Sequence, residues 1–345
     1  MKNSRIRSLA VLFALILVLL SASCGGAQTP VVTLRLTNHN TDGSMTSQSI
    51  DVLAEKIFEA TNGRVKIDCY HGGVLGSFAD SINMIESGVA DLAWTSVSMF
   101  AGQFPYSEVF QLPMLGLTSA QKATEVWWDV MDKYPEVFEH EFSNFKLLVS
   151  HTSPPACIGL DRPVNNLGDL RGANMRTTVG PNATIVRLWN ANPVSMSPAD
   201  MYLGMQRGVI NGYIFDGAGI NTWGLAELTE NVVDVGLSYS VNFILMNKDV
   251  WESLSPEDQA AIDAVAGRAG SQYGAFYMQK EADDLFAEMG DSYQKLSAAD
   301  LFYEELRAPL ATMYDDWLNA PKPLSSVNVQ EFYNFVLERI AYREN

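Results

Sequence analysis

Apolar residues alternate through Val32, Leu34 and Leu36, then recur at helical spacing at Ile50, Leu53, Ala54, Ile57 and Phe58, ahead of Gly63. The first pattern buries one face of a strand and the second one stripe of a helix, and a glycine is a good helix stop. Val65, Ile67 and Cys69 alternate again. Ser77 and Asp80 have the spacing of a capping box for a helix carrying Ile82 and Ile85, which Gly88 closes ahead of a strand at residues 91–95. Strand, helix, strand, helix, strand predicts a parallel sheet with helices on its faces.

Further on, Thr118 with Gln121 predicts a capped helix, and Pro154-Pro155 a stiff extended crossing. Ser197, Pro198 and Asp200 read as N-cap, first helical position and N3 carboxylate of a helix closed by Gly208, so Asp200 is assigned to a cap and not to catalysis. Residues 243–246 form a returning strand. Ser255, Pro256 and Asp258 open a helix expected to run to about Met289, roughly 50 Å at the standard rise, long enough to strut two lobes.

The front of the chain has a different pattern. Behind Lys2, Arg5 and Arg7, residues 9–20 are an unbroken apolar run, too short to span a bilayer as a mature helix and typical of an export signal. Without residues 1–24 roughly 320 remain, more than one core comfortably serves, so two lobes are expected. At 47% apolar and 18% charged the chain is an ordinary globular one. A formal charge of −17 excludes a nucleic-acid partner, and any anionic ligand must be attracted by a local pocket.

Catalytic constellations are missing. His39, His71, His140 and His151 show no metal-ligand spacing with each other or with the cysteines. Gly72-Gly73 lacks the rest of a phosphate loop, His151-Thr152-Ser153 cannot form a triad from adjacent residues, and no Gly-x-Ser-x-Gly elbow occurs. No enzyme, metal or cofactor is expected. Besides Cys24 there are only Cys69 and Cys157, which make no disulfide framework; a buried inert thiol is the expectation for Cys69, and their pairing stays open.

Residues 167–176 read Leu-Gly-Asp-Leu-Arg-Gly-Ala-Asn-Met-Arg, residues 192–202 Asn-Pro-Val-Ser-Met-Ser-Pro-Ala-Asp-Met-Tyr, and residues 205–212 Met-Gln-Arg-Gly-Val-Ile-Asn-Gly. With Thr-Asn-Gly-Arg-Val-Lys-Ile at 61–67, Ser-Gly-Val-Ala-Asp-Leu-Ala at 87–93 and Phe-Gln-Leu-Pro-Met-Leu at 110–115, the chain resembles the DctP-type solute-binding proteins of tripartite ATP-independent periplasmic (TRAP) transporters over nearly its whole mature length. The resemblance implies an α/β, two-lobed periplasmic binding protein fold with a hinge and a long helix spanning both lobes. Lobe I would comprise residues 25–153 plus about 243–290, lobe II residues 154–242, and residues 291–345 would be C-terminal helices packing on the lobes. Residues 20–25, Leu-Ser-Ala-Ser-Cys-Gly, resemble a lipobox, which makes Cys24 the expected lipidated first residue of a periplasmic or extracytoplasmic protein.

In that family the arginine placed at Arg176 clamps the carboxylate of an organic acid, and a planar guanidinium does so through two parallel hydrogen bonds. Around it, Asn38, His39, Trp94, Thr95, Tyr213, Phe215, Asp216 and Trp223 are candidate ligand-binding residues. Three departures from the family pattern remove polarity: its second arginine falls on Ala156, an aromatic before the helix cap becomes Pro198, and an asparagine that helps hold the carboxylate becomes Phe215. These favour a monocarboxylate with an apolar or aromatic body, captured by hinge closure and delivered to the TRAP membrane permease subunits. The alternatives are a periplasmic sensor built on the same fold, and a binder of oxo or hydroxy acids through a metal at Asp216.

Overall fold

A computed structural model describes residues 31–345; the export signal and Cys24 lie outside the described residues. Five strands, β1 (Val32–Thr37), β2 (Val65–Tyr70), β3 (Leu92–Ser96), β4 (Phe145–Thr152) and β10 (Val241–Asn247), form one sheet in the order β2-β1-β3-β10-β4. Six more, β5 (Ala156–Leu160), β6 (Asn174–Thr177), β7 (Asn192–Ser195), β8 (Gly212–Asp216), β9 (Asn231–Asp234) and β11 (Tyr293–Lys295), form a second in the order β11-β9-β5-β8-β6-β7. Each sheet is the centre of one lobe.

The parallel sheet expected from the sequence is corrected to a mixed one. β1 and β3 are parallel, but β10 runs antiparallel to both β3 and β4, because the chain re-enters the first sheet from the second lobe. β5 likewise opposes β8 and β9. Both faces of each sheet are covered. Ala93, Phe243 and Leu245 enter one apolar cluster, while their neighbours Trp94, Ile244 and Met246 enter another. Strands buried on both faces lose the alternation of a half-exposed strand, and β3, β5 and β10 read as nearly continuous apolar runs for that reason.

Two crossings join the lobes, β4 to β5 through Ser153–Pro155 and β9 to β10 through residues 235–240. They are hydrogen-bonded to each other. Ser153 N donates to Ser240 O at 2.8 Å, Ser240 N to Ser153 Oγ at 3.0 Å, and Ala156 N to Ser238 O at 2.8 Å.

The expected helix from Ser255 to Met289 is two helices. Ser255 caps Pro256–Val265 by accepting from Asp258 N at 3.1 Å, but Ala266 (φ −87°, ψ −142°) and Gly267 (φ +56°) break the run before Gly267–Met289. The second piece, 23 residues and about 35 Å long, reaches both lobes. On the first lobe Ser271 Oγ accepts from Ser150 N, and Gln279 Oε1 from Ala120 N. On the second, Glu281 accepts from Asn221 and Thr222.

Three caps also differ. Ser119, not Thr118, caps helix Ala120–Lys133, and Thr118 instead bonds Glu344. Ser77 donates to the Asp80 carboxylate at 2.6 Å, and neither Ser197 nor Asp200 makes a side-chain cap. In both places a short 3-10 turn precedes the helix and takes up the backbone groups a cap would have served.

Candidate functional site

Arg176 sits within β6, between Val194 of β7 and Tyr213 of β8, and is 1% exposed. Its Nε donates to Met196 O at 3.0 Å, and its guanidinium lies over the Phe215 ring at 4.8 Å. Among the described residues no carboxylate comes within 4.0 Å of it. Burial lowers its pKa to about 10, partly offset by the negative charge of Asp216. Burying a cation without a direct counter-ion is costly, so the position is one an arriving anion would stabilise.

That guanidinium is part of the wall of a cavity between the lobes, which His39, Trp94, Phe215 and Asp216 also line. The His39 ring stacks on Phe78, centroids 3.6 Å apart and 12° from parallel, with Trp94 at 5.1 Å and Trp223 at 6.2 Å. Enclosure of the ring, then the charge of Arg176, depresses its pKa to about 3, so His39 is neutral. Burial raises Asp216 to about 6, against the hydrogen bond its Oδ1 accepts from Gly219 N at 3.0 Å. His39 Nδ1, Trp94 Nε1, Thr178 Oγ1 and the Tyr239 hydroxyl are buried, line the cavity and have no hydrogen-bond partner among the described residues. Buried polar groups are rarely left so.

The other candidates stand off the wall. Tyr213 shares a strand face with Phe215 but lies two residues further from the end of β8. It is packed under Met201 and Leu225, and its hydroxyl is 2.8 Å from Thr229 Oγ1. Thr95 is buried against Ser81 at 2.7 Å. Trp223 meets the site only through its stack on His39. Asn38 supports the wall from behind. Its Oδ1 accepts from Asn40 N and Nδ2, and its Nδ2 faces Ser47 Oγ and His71 Nδ1, each at 2.9 Å.

That amide orientation settles a second cluster. Asp51, Cys69 and His71 place potential metal-ligand atoms within 4.8 Å of one another, a proximity the sequence spacing did not indicate. Because Asn38 presents Nδ2, His71 Nδ1 is the acceptor and Nε2 carries the proton, donated to Asp51 Oδ1 at 3.0 Å. The cluster is therefore a hydrogen-bond bridge behind the cavity. Cys69 and Cys157 are both free, and burial pushes the Cys69 thiol up to about 12.

Several wall residues carry no motif, but a repeat locates some of them. Residues 77–96 and 197–216 share Ser-x-Ala-Asp and Gly-Val at a constant offset, and both fold as 3-10 turn, six-residue helix, left-handed glycine (Gly88 φ +71°, Gly208 φ +68°) and strand. Equivalent positions line the cavity from the two lobes: Phe78 with Pro198, Trp94 with Ile214, and Ser96 with Asp216. All three departures, Ala156, Pro198 and Phe215, are on the same wall.

Two lobes on paired crossings enclose a cavity whose one permanent cation among its lining residues is Arg176, an arrangement suited to holding an anionic ligand. Residues 37–319 match the bacterial extracellular solute-binding proteins, family 7 (DctP), and the chain belongs to that family, the solute-binding proteins of TRAP transporters. The protein named outer membrane transporter protein TsaT of Comamonas testosteroni is 25% identical over 300 residues, 84% of this chain and 86% of that one. A TRAP solute-binding protein from Rhodoferax ferrireducens, solved with co-purified benzoate, has the same fold, with a TM-score of 0.82 at 22% identity over 91% of this chain and 99% of that one. Another, from a marine metagenome and specific for aromatic acid ligands, gives 0.81 at 23% identity over 91% and 100%.

Proposed function

We propose that this protein captures an organic acid, specifically a monocarboxylate with an apolar or aromatic body, between its lobes and delivers it to a TRAP membrane permease, tethered to the membrane by lipid on Cys24. One observation carries the ligand class. Arg176 is the single permanent cation among the lining residues of a cavity walled by Phe78, Trp94 and Phe215, and Ala156, Pro198 and Phe215, the three positions where the family resemblance implies an arginine, an aromatic and an asparagine in many members, line it too. The carboxylate would take the free edge of the guanidinium, and the ligand body would gain about 25 cal/mol for each Å² hidden against the rings. A dicarboxylate would bury a second charge without a partner, which is heavily penalised. The benzoate and aromatic acids held by the two fold relatives agree with this reading. Closure would be a hinge motion about the two crossings, stabilised by contacts that only the closed state makes.

A thermal-shift screen tests it. Benzoate or phenylacetate at about 100 times its dissociation constant should add roughly 2.7 kcal/mol, with little effect from succinate, malate or sialic acid. Arg176→Ala should weaken calorimetric binding by about 30-fold or more, the loss typical of truncating one partner of a buried charged pair. A dicarboxylate giving the largest shift, or a folded Arg176→Ala protein with wild-type affinity, would overturn the proposal.

A further inference from the structure

At the end of β8 the chain sets two unlike side chains side by side. Phe215 puts its ring under the Arg176 guanidinium, and Asp216 lines the same cavity one residue later. Asp216 is 9% exposed. Its Oδ1 is committed to capping helix Gly217–Thr222 through Gly219 N, while Oδ2 has no hydrogen bond among the described residues. Arg176 does not use it, since the two approach no closer than 4.0 Å, yet each one's charge bears on the other's protonation. The wall therefore holds an anionic acceptor beside the carboxylate clamp and separate from it.

Resting on the aromatic monocarboxylate reading, we propose that the ligand is a 2-hydroxy acid, whose carboxylate meets Arg176 and whose hydroxyl, on the adjoining carbon, donates to Asp216. Three alternatives for the ligand atom facing Asp216 fare worse. A carbon–hydrogen group would cover the cavity-facing carboxylate oxygen without bonding it, and a second carboxylate would repel it. A hydroxyl far along the body would lie away from the clamp, whereas Asp216 is on the strand neighbouring Arg176. The other unpartnered wall groups are weaker receivers. Trp94 Nε1 only donates, and His39 Nδ1, Thr178 Oγ1 and the Tyr239 hydroxyl are neutral, while a bond to a charged acceptor is about twice as strong.

The test is calorimetry on the mature protein with phenylacetate and with each enantiomer of 2-hydroxy-2-phenylacetate, which differ only in that hydroxyl. The better enantiomer should bind about tenfold more tightly than phenylacetate or better, the usual worth of a hydrogen bond to a charged group. Asp216→Ser retains an N-cap oxygen for Gly219 N and removes the cavity-facing one, and should bring that ratio to within about twofold, whatever it does to the absolute affinities. Equal wild-type affinities would overturn the proposal. So would a preference that survives Asp216→Ser, which would mean that Asp216 acts on the carboxylate or not at all. If neither acid binds, the aromatic monocarboxylate reading falls and takes this one with it. The wild-type comparison needs no variant. Should the serine protein fail to fold, Asp216→Asn keeps size and cap and should narrow the ratio several-fold, and an unchanged ratio would again refute the assignment.

Discussion

Burial moves protonation in opposite senses at neighbouring residues, as desolvation must, because it disfavours whichever form is charged. Arg176 and His39 are lowered and Asp216 raised at the cavity. Away from it, burial raises Glu141 to about 7, although its carboxylate accepts from Tyr106 N, Ser107 N and the Ser107 hydroxyl. A folded pKa above the unfolded one means the folded state holds a proton the unfolded state has lost between about pH 4.5 and 7. Stability attributable to Glu141 therefore falls as pH rises through that window. The effect is on the order of 3 kcal/mol, several degrees in the unfolding midpoint for a chain this size. Glu141→Gln keeps an acceptor for the two N–H groups and can donate to Ser107, so its midpoint should gain on wild type from pH 5 to pH 8. His39 and Asp216 titrate alike in both proteins and cancel. Parallel melting curves across that range would show that the carboxyl charge does not matter there.

At the scale of elements, the long helix is what ties the site to the lobes. Helix Gly217–Thr222, capped by Asp216, lies so close to it that a Cβ on Gly217 would meet Ala282 Cβ at 2.7 Å and Phe286 Cζ at 2.5 Å. The ring can move, but the Ala282 Cβ is part of the helix. Gly217 is the first residue of its helix, where the mid-helix gain in propensity does not apply, so Gly217→Ala would lose about 1–3 kcal/mol to overpacking. The melting midpoint should therefore drop by a few degrees, and ligand affinity with it, since Asp216 would be displaced. A midpoint at or above wild type would show that the two helices part freely. On its outer face the long helix is held by Arg268, which bonds Asp129, and Asp129 also receives Arg339 and Arg343 from the C-terminal helix. Strand and helix periods were legible in the chain, but the break at Ala266–Gly267 was not. One glycine in an otherwise helical run is commonly tolerated, and only the packed conformation shows this one at positive φ.

For the whole molecule, a charge of −17 gives no general attraction for anions, so in the function proposed capture would rest on the buried Arg176 guanidinium. Delivery depends on staying near the permease, the role proposed for Cys24. Cys24→Ser should leave the protein soluble after export or retain it as an unprocessed precursor. Fractionation with detergent partition of cells expressing each form checks this, and a processed, membrane-bound serine variant would remove the lipid from the proposal.

What the amino-acid order alone determined was whatever depends on near neighbours: the periods of strands and helices, the missing catalytic constellations, and the frame around Arg176. It also marked Ala156, Pro198 and Phe215 as apolar departures. Tertiary structure alone decided which side chains share the cavity. Tyr213 and Phe215 are equal candidates by sequence, yet two residues of strand, about 7 Å, separate a side chain under a helix from one at the open strand end. Phe78 and His39 lie 39 positions apart and meet as stacked rings, and Asn38 turns out to be a brace set by Asn40 and His71. Such contacts arise from the curvature and packing of two sheets, which no local spacing encodes.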